Sequence, residues 1–264
     1  MSTMENNFLN IDALAAVLDN AARDHIAIDQ LTPSQPFTLE QAYAIQRASI
    51  GCRQTRGEQT IGIKLGFTSR AKMVQMGVSN LIWGWITDTM LYEDGAQVNL
   101  MDLIHPRVEP EVCFLTRRDI DRPLTLLEAA GYLEGVAPAM EIIDSRFRNF
   151  KFTLEDVVAD NCSSAGLVVG PLSRIEDLRN RGVTMSFNGH NVQMGSTGAI
   201  LGNPLRSVVQ AAQLVAQAGM VLPAGSLIMA GAATAAEALS HATHVRTDIS
   251  GLGRVEFLTE NSHE

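Results

Sequence analysis

The sequence predicts an α+β fold with its helices first and its strands after. Two observations carry this expectation. Apolar residues recur at helical spacing in two early stretches, Ile11 to Arg23 and Thr38 to Gln54. From Leu81 onward the pattern changes to short apolar runs separated by Gly, Asn and Pro. Helices followed by strands favour α+β over a doubly wound α/β sheet. The expected organisation is a helix-rich region over residues 1–80 and a strand-rich region over 81–264, sharing one core.

Each element has its own signal. Ile11, Leu14, Ala15, Leu18, Ala21 and Ala22 form one helical stripe, with Asn10 as N-cap. Thr38-Leu-Glu-Gln41 is a capping box that opens the second helix. Ile61 to Phe67 reads as a strand, and Ser69 to Met76 as a helix that stops at Gly77. Met185-Ser-Phe and Asn191-Val-Gln-Met194 flank Asn188-Gly189, a hairpin signal. Leu205 to Ala218 is amphipathic and ends at Gly219, a C′ glycine. Leu227 to Gly231 reads as a buried strand running into a small-residue loop. His244 to Asp248 and Arg254 to Leu258 make a closing hairpin around Gly251-Leu-Gly253.

Composition excludes several classes. The 264 residues are 46% hydrophobic and carry a net charge of −9, with no basic cluster, which argues against nucleic acid. No apolar run approaches the roughly 20 residues that span a bilayer. The polar N-terminus is not read as a secretory signal. Cys52, Cys113 and Cys162 are widely spaced and odd in number, so they read as reduced cytoplasmic thiols. No P-loop and no Gly-rich dinucleotide turn is present.

The chemistry concentrates in three carboxylates. Glu109 and Glu111 are two apart beside the apolar run Val112 to Leu115, so on a strand they share a face. Apposed carboxylates repel, and burying either one is costly. A hard divalent cation resolves both problems, and Glu141, also among apolar residues, supplies a third oxygen ligand. The plainer alternative puts Glu109 and Glu111 on a solvated strand face and Glu141 on a helix surface. Lys64 sits between Gly62 and Gly66 in an apolar strand. It is either a cation aimed at substrate or a side chain snorkelling from a strand edge.

Several segments together resemble a known family. They are Gly62-Ile-Lys-Leu-Gly-Phe-Thr-Ser69, Ala71-Lys-Met-Val-Gln-Met-Gly-Val78, His105-Pro-Arg-Val-Glu-Pro-Glu111, Glu141-Ile-Ile-Asp-Ser-Arg146, Asn149-Phe-Lys-Phe152 and Asp160-Asn-Cys-Ser-Ser164. The chain resembles the hydratase/decarboxylase branch of the fumarylacetoacetate hydrolase superfamily, from about Phe37 to the C-terminus. Thr68 to Gly77 and the Asn-Phe-Lys-Phe segment tilt it to the decarboxylase side. One departure is Cys162, where the branch leads us to expect Ala.

The resemblance implies a mixed β-sandwich roll behind a small N-terminal helical region. It implies Mg²⁺ or Mn²⁺ on Glu109, Glu111 and Glu141. The implied reaction takes 4-oxalocrotonate, a 2-oxo-hexenedioate of aromatic catabolism, to 2-hydroxypenta-2,4-dienoate and CO₂. The partners implied are a small-molecule dicarboxylate, further copies of the chain and a sister hydratase. Asp88 matches an Asp that the branch keeps near its site, where it would orient Lys64 or relay a proton; otherwise it is a turn residue. Arg146 and Lys151 are candidates for holding the distal carboxylate, with Phe147, Phe150 or Trp83 as apolar neighbours; the alternative is a solvated loop. Ser163 and Thr234 are candidate substrate contacts, against a turn cap and simple tight packing. Three other readings stay open: a hydratase, a carbon–carbon hydrolase, and a non-catalytic binding or scaffolding subunit.

Overall fold

The structure is a computed structural model that describes residues 9–69 and 81–260. The chain opens with α1 (Ile11–Arg23) and α2 (Leu39–Thr55). Asn10 caps α1 by accepting from the Ala13 amide at 3.0 Å. Thr38 and Gln41 cap α2 reciprocally, at 3.2 and 2.8 Å. The expected helix at Ser69 to Met76 falls largely outside the described residues.

Next come β1 (Thr60–Gly66), β2 (Ile82–Thr87), β3 (Leu91–Tyr92), β4 (Gln97–Asn99) and β5 (Arg107–Thr116). The short α3 (Leu126–Ala129) leads to β6 (Leu133–Ile143), α4 (Leu154–Ala159) and β7 (Ser164–Val169). The hairpin β8 (Gly182–Phe187) and β9 (His190–Ser196) turns at Asn188 and Gly189, both at positive φ, as that dipeptide predicts. Then follow α5 (Leu205–Gln217), β10 (Leu227–Met229) and β11 (Glu237–Ala238). The chain closes with the predicted hairpin of β12 (His244–Ile249) and β13 (Gly253–Glu260).

The strands form two mixed sheets. The first has eight strands, in the order β2-β1-β10-β5-β6-β7-β3, with β11 also paired to β5; the second has five, β4-β13-β12-β8-β9. The expected α+β class and sandwich-like roll are what the chain forms. Val108, Met140, Ile142 and Val168 of the larger sheet meet Met185, Val245, Val255 and Phe257 of the smaller in one core. Farther along the larger sheet, α5 covers the apolar residues Ile63, Leu65, Phe114 and Ile228 with Val208, Ala211, Ala212 and Val215.

Strand alternation then leaves Lys64, Glu109, Glu111 and Glu141 on the opposite face. The N-terminal helices pack near that face. Leu14, Leu18 and Ile45 share a cluster with Ile82, Phe147, Val157 and Cys162, which joins the first two helices to the strand-rich part of the chain.

Candidate metal centre and cavity

β5 and β6 pair antiparallel with Glu109 directly opposite Glu141, and Glu111 follows two residues on. One oxygen of each carboxylate lies within 4.8 Å of the others. The three are 6%, 0% and 1% exposed, so neither the solvated strand face nor the helix surface is what the chain builds. Glu111 Oε2 accepts from the Gly231 amide at 2.8 Å, while its buried Oε1 meets no donor among the described residues. Burial, and then the charge of Glu141, hold the Glu111 carboxyl well above its ordinary range, against the pull of Lys64. Gly231 makes its contact at φ 104°, where a Cβ would fall 2.1 Å from Thr68 Oγ1. Only glycine suits that backbone and that gap.

Lys64 is 4% exposed. Its Nζ lies 3.1 Å from Glu141 Oε2 and donates to the Cys162 carbonyl at 3.1 Å. Burial opposes its charge, but Glu141 and the other acids outweigh burial and raise its pKa. Among the described residues, three buried carboxylates converge with one ammonium beside them. The Glu111 oxygen that meets no donor among the described residues and the all-oxygen donor set fit Mg²⁺ or Mn²⁺.

Above the carboxylates lies a cavity of about 350 Å³. Lys64, Glu109, Arg107, Ser163 and Cys162 line it together with Ile143, Phe150, Phe152 and Val157. Ser163 Oγ is buried there with no hydrogen-bond partner among the described residues. The loop Asn161–Cys162–Ser163 has three consecutive non-glycine residues at φ 48°, 53° and 57°. Such a run is strained and persists only where its surroundings fix it. Gly84, paired with Lys64 across β1 and β2, lets the loop approach: a Cβ there would lie 2.6 Å from the Asn161 carbonyl. The Cys162 thiol donates to the Trp83 carbonyl at 3.0 Å, and burial pushes its pKa up to about 12.

Four expected site residues lie elsewhere. Asp88 is exposed at a turn, its carboxylate accepting from the Gln59 and Thr89 amides at 3.0 Å each. Arg146 is 4% exposed but spent inside the protein. It pairs with Asp160 and donates to the carbonyls of Asp144 and Ser164, because a buried guanidinium must satisfy its donors. Lys151 is exposed and outside the cavity wall. The Thr234 hydroxyl donates to the Ala235 carbonyl, and Ala232, Ala235 and Ala236 line the cavity in its place. Of the apolar neighbours expected around a distal carboxylate, Phe150 lines the cavity. Phe147 belongs to the N-terminal helix core, and Trp83 stacks on Tyr43.

Arg107 was missed at the level of sequence. It stands two residues before Glu109 on the same strand face, so the alternation that revealed the carboxylates also contained it.

A two-sheet roll with three buried carboxylates beside a buried lysine defines a class, and the class has a name. The profile of the fumarylacetoacetate (FAA) hydrolase C-terminal family matches residues 59–258, and the chain belongs to that family. A 4-oxalocrotonate decarboxylase of a Pseudomonas species is 51% identical over 252 residues, covering 95% of this chain and 98% of that protein. A solved structure of 4-oxalocrotonate decarboxylase from Pseudomonas putida G7, complexed with magnesium and adipate, superposes with a TM-score of 0.91. It is 37% identical, and the match covers 94% of this chain and 97% of that one. A 2-keto-4-pentenoate hydratase of Burkholderia vietnamiensis is 35% identical over 258 residues, covering 95% of this chain and 97% of its own.

Proposed function

We propose that this chain is a carboxy-lyase that converts 4-oxalocrotonate to 2-hydroxypenta-2,4-dienoate and CO₂ in aromatic catabolism, with Mg²⁺ or Mn²⁺ as cofactor. The observation that carries the reading is the 51% identity to a 4-oxalocrotonate decarboxylase across nearly the whole chain, against 35% to the hydratase.

Loss of CO₂ from carbon 6 leaves an electron pair on carbon 5. The pair moves through the 3,4 double bond to the 2-oxo oxygen, giving a dienolate. Glu109, Glu111 and Glu141 would hold the cation, which supplies positive charge for the 2-oxo oxygen when bound. Lys64 keeps its ammonium beside Glu141, where it donates to developing negative charge and holds a proton for the product. Ser163 offers a hydroxyl to the substrate carboxylate. Ile143, Phe150, Phe152 and Val157 give the substrate's carbon chain an apolar wall to lie against.

The enzyme works in the cytoplasm as a homo-oligomer, and a hydratase consumes its product. The short-lived dienol makes direct transfer within a shared assembly advantageous. No helix among the described residues is long and apolar enough to cross a membrane.

Product analysis tests the function. With the 2-oxo-hexenedioate and Mg²⁺, the protein releases CO₂ in step with substrate loss. Hydration of the dienoate without CO₂ release from the dicarboxylate assigns the chain to the hydratases instead.

A further inference from the structure

We infer that Arg107 is the residue that receives the distal carboxylate and so selects a dicarboxylate over a monocarboxylate. This inference rests on the decarboxylase reading and adds to it the recognition of the substrate's far end. Lys64, Glu109 and Arg107 are the charged side chains of the described cavity wall. Lys64 is committed to Glu141 and the Cys162 carbonyl. Arg107 makes no side-chain hydrogen bond or ion pair with any described residue. Its guanidinium lies over the Phe150 ring, whose centroid is 5.0 Å from the guanidinium carbon.

The placement suits the substrate. Arg107, Glu109 and Glu111 alternate along one strand face, about 6.7 Å apart. A six-carbon diacid with one end at the carboxylate centre therefore extends its other end toward Arg107. The residues around that end are apolar: Ile143 is paired with Arg107 across β5 and β6, and Phe150 lies against its guanidinium. Asn149 and Phe150 are held at φ 60° and 57°. That conformation is a marked outlier for a bulky residue, and it is what carries the ring to Arg107.

Arg107 is exposed, so water screens its hold on an anion. A screened hold aligns the leaving carboxylate without anchoring it, as a group that must depart as CO₂ requires. It succeeds Arg146 and Lys151 in the role that the sequence assigned to them.

The test compares adipate with hexanoate, of equal chain length and differing in the second carboxylate, by calorimetry on the magnesium-loaded protein. Arg107→Met is expected to weaken adipate about tenfold or more, the size of one charge-assisted hydrogen bond, and to leave hexanoate within about twofold. Arg107→Lys should restore part of the adipate affinity. Should Arg107→Met fail to fold, Phe150→Leu frees the guanidinium from its ring and should narrow the adipate preference several-fold. Unchanged adipate binding in the folded variant, or equal loss of both acids, overturns the assignment. CO₂ release by the wild type is measured separately: its absence sinks the decarboxylase reading, while the adipate-to-hexanoate ratio judges Arg107 alone.

Discussion

Asn161 holds the backbone of Trp85 from both sides. Its Oδ1 accepts from the Trp85 amide at 2.7 Å, and its Nδ2 donates to the Trp85 carbonyl at 2.9 Å. This double contact fastens the left-handed loop to β2, and the next residue, Cys162, presents its carbonyl to Lys64. Asn161→Ala removes both bonds and leaves two backbone groups unpaired, at a cost of about 2–4 kcal/mol. The expected result is a lower melting temperature together with a lower kcat, because the lysine loses its fixed acceptor. A variant with wild-type kcat would detach the loop from the alignment of Lys64.

Lys64→Met should lower kcat by about a hundredfold or more while sparing cation binding. Charge that matters more in the transition state than in the ground state appears in kcat. Steady-state kinetics beside a Mg²⁺ titration separates the two effects. An unchanged kcat returns Lys64 to a structural role.

Mg²⁺ should stabilise the fold by mass action. At a hundred times its Kd the gain is about 2.7 kcal/mol, which for a chain of this size is roughly 5–10 °C in Tm. Glu111→Gln alters a buried carboxylate of the proposed metal site and should abolish both the shift and the turnover. Scanning calorimetry with chelator and with Mg²⁺ reads the shift directly, and full activity after chelation contradicts a metal-dependent reaction.

The ion pair of Arg146 and Asp160 is almost wholly buried. Removing one partner leaves an uncompensated charge and should cost about 3–5 kcal/mol. Denaturant unfolding of Arg146→Met and Asp160→Asn should show losses of that size singly and a strongly non-additive double variant. Folded Arg146→Met should keep its preference for adipate over hexanoate. Loss of that preference would reinstate Arg146 as a substrate contact.

Much of this was legible in the residues. The helix caps at Asn10 and Thr38, the Asn188-Gly189 turn and the shared face of Glu109 and Glu111 are local features, set by neighbours within four positions. What stayed hidden depends on distant partners. Nothing beside Arg146 says that Asp160, fourteen residues later, will bury it. Nothing in Asp88 says that the Gln59 amide will claim it. The left-handed runs at Asn149–Phe150 and Asn161–Ser163 contain no glycine to announce them. Arg107 was readable from the same alternation as the carboxylates but was masked by its two acidic neighbours.

The pairing of Glu109 with Glu141 gives the carboxylate centre a second significance, as a gauge of correct assembly. A one-residue slip of β6 along β5 would turn Glu141 to the other face and bring an apolar neighbour into its place. In the proposed metal site the slipped chain would lack the Glu141 oxygen, so a bound cation would reward the native register over its nearest competitor. The ion that serves the chemistry would thereby also act during maturation, by favouring the chains that have zipped these two strands correctly.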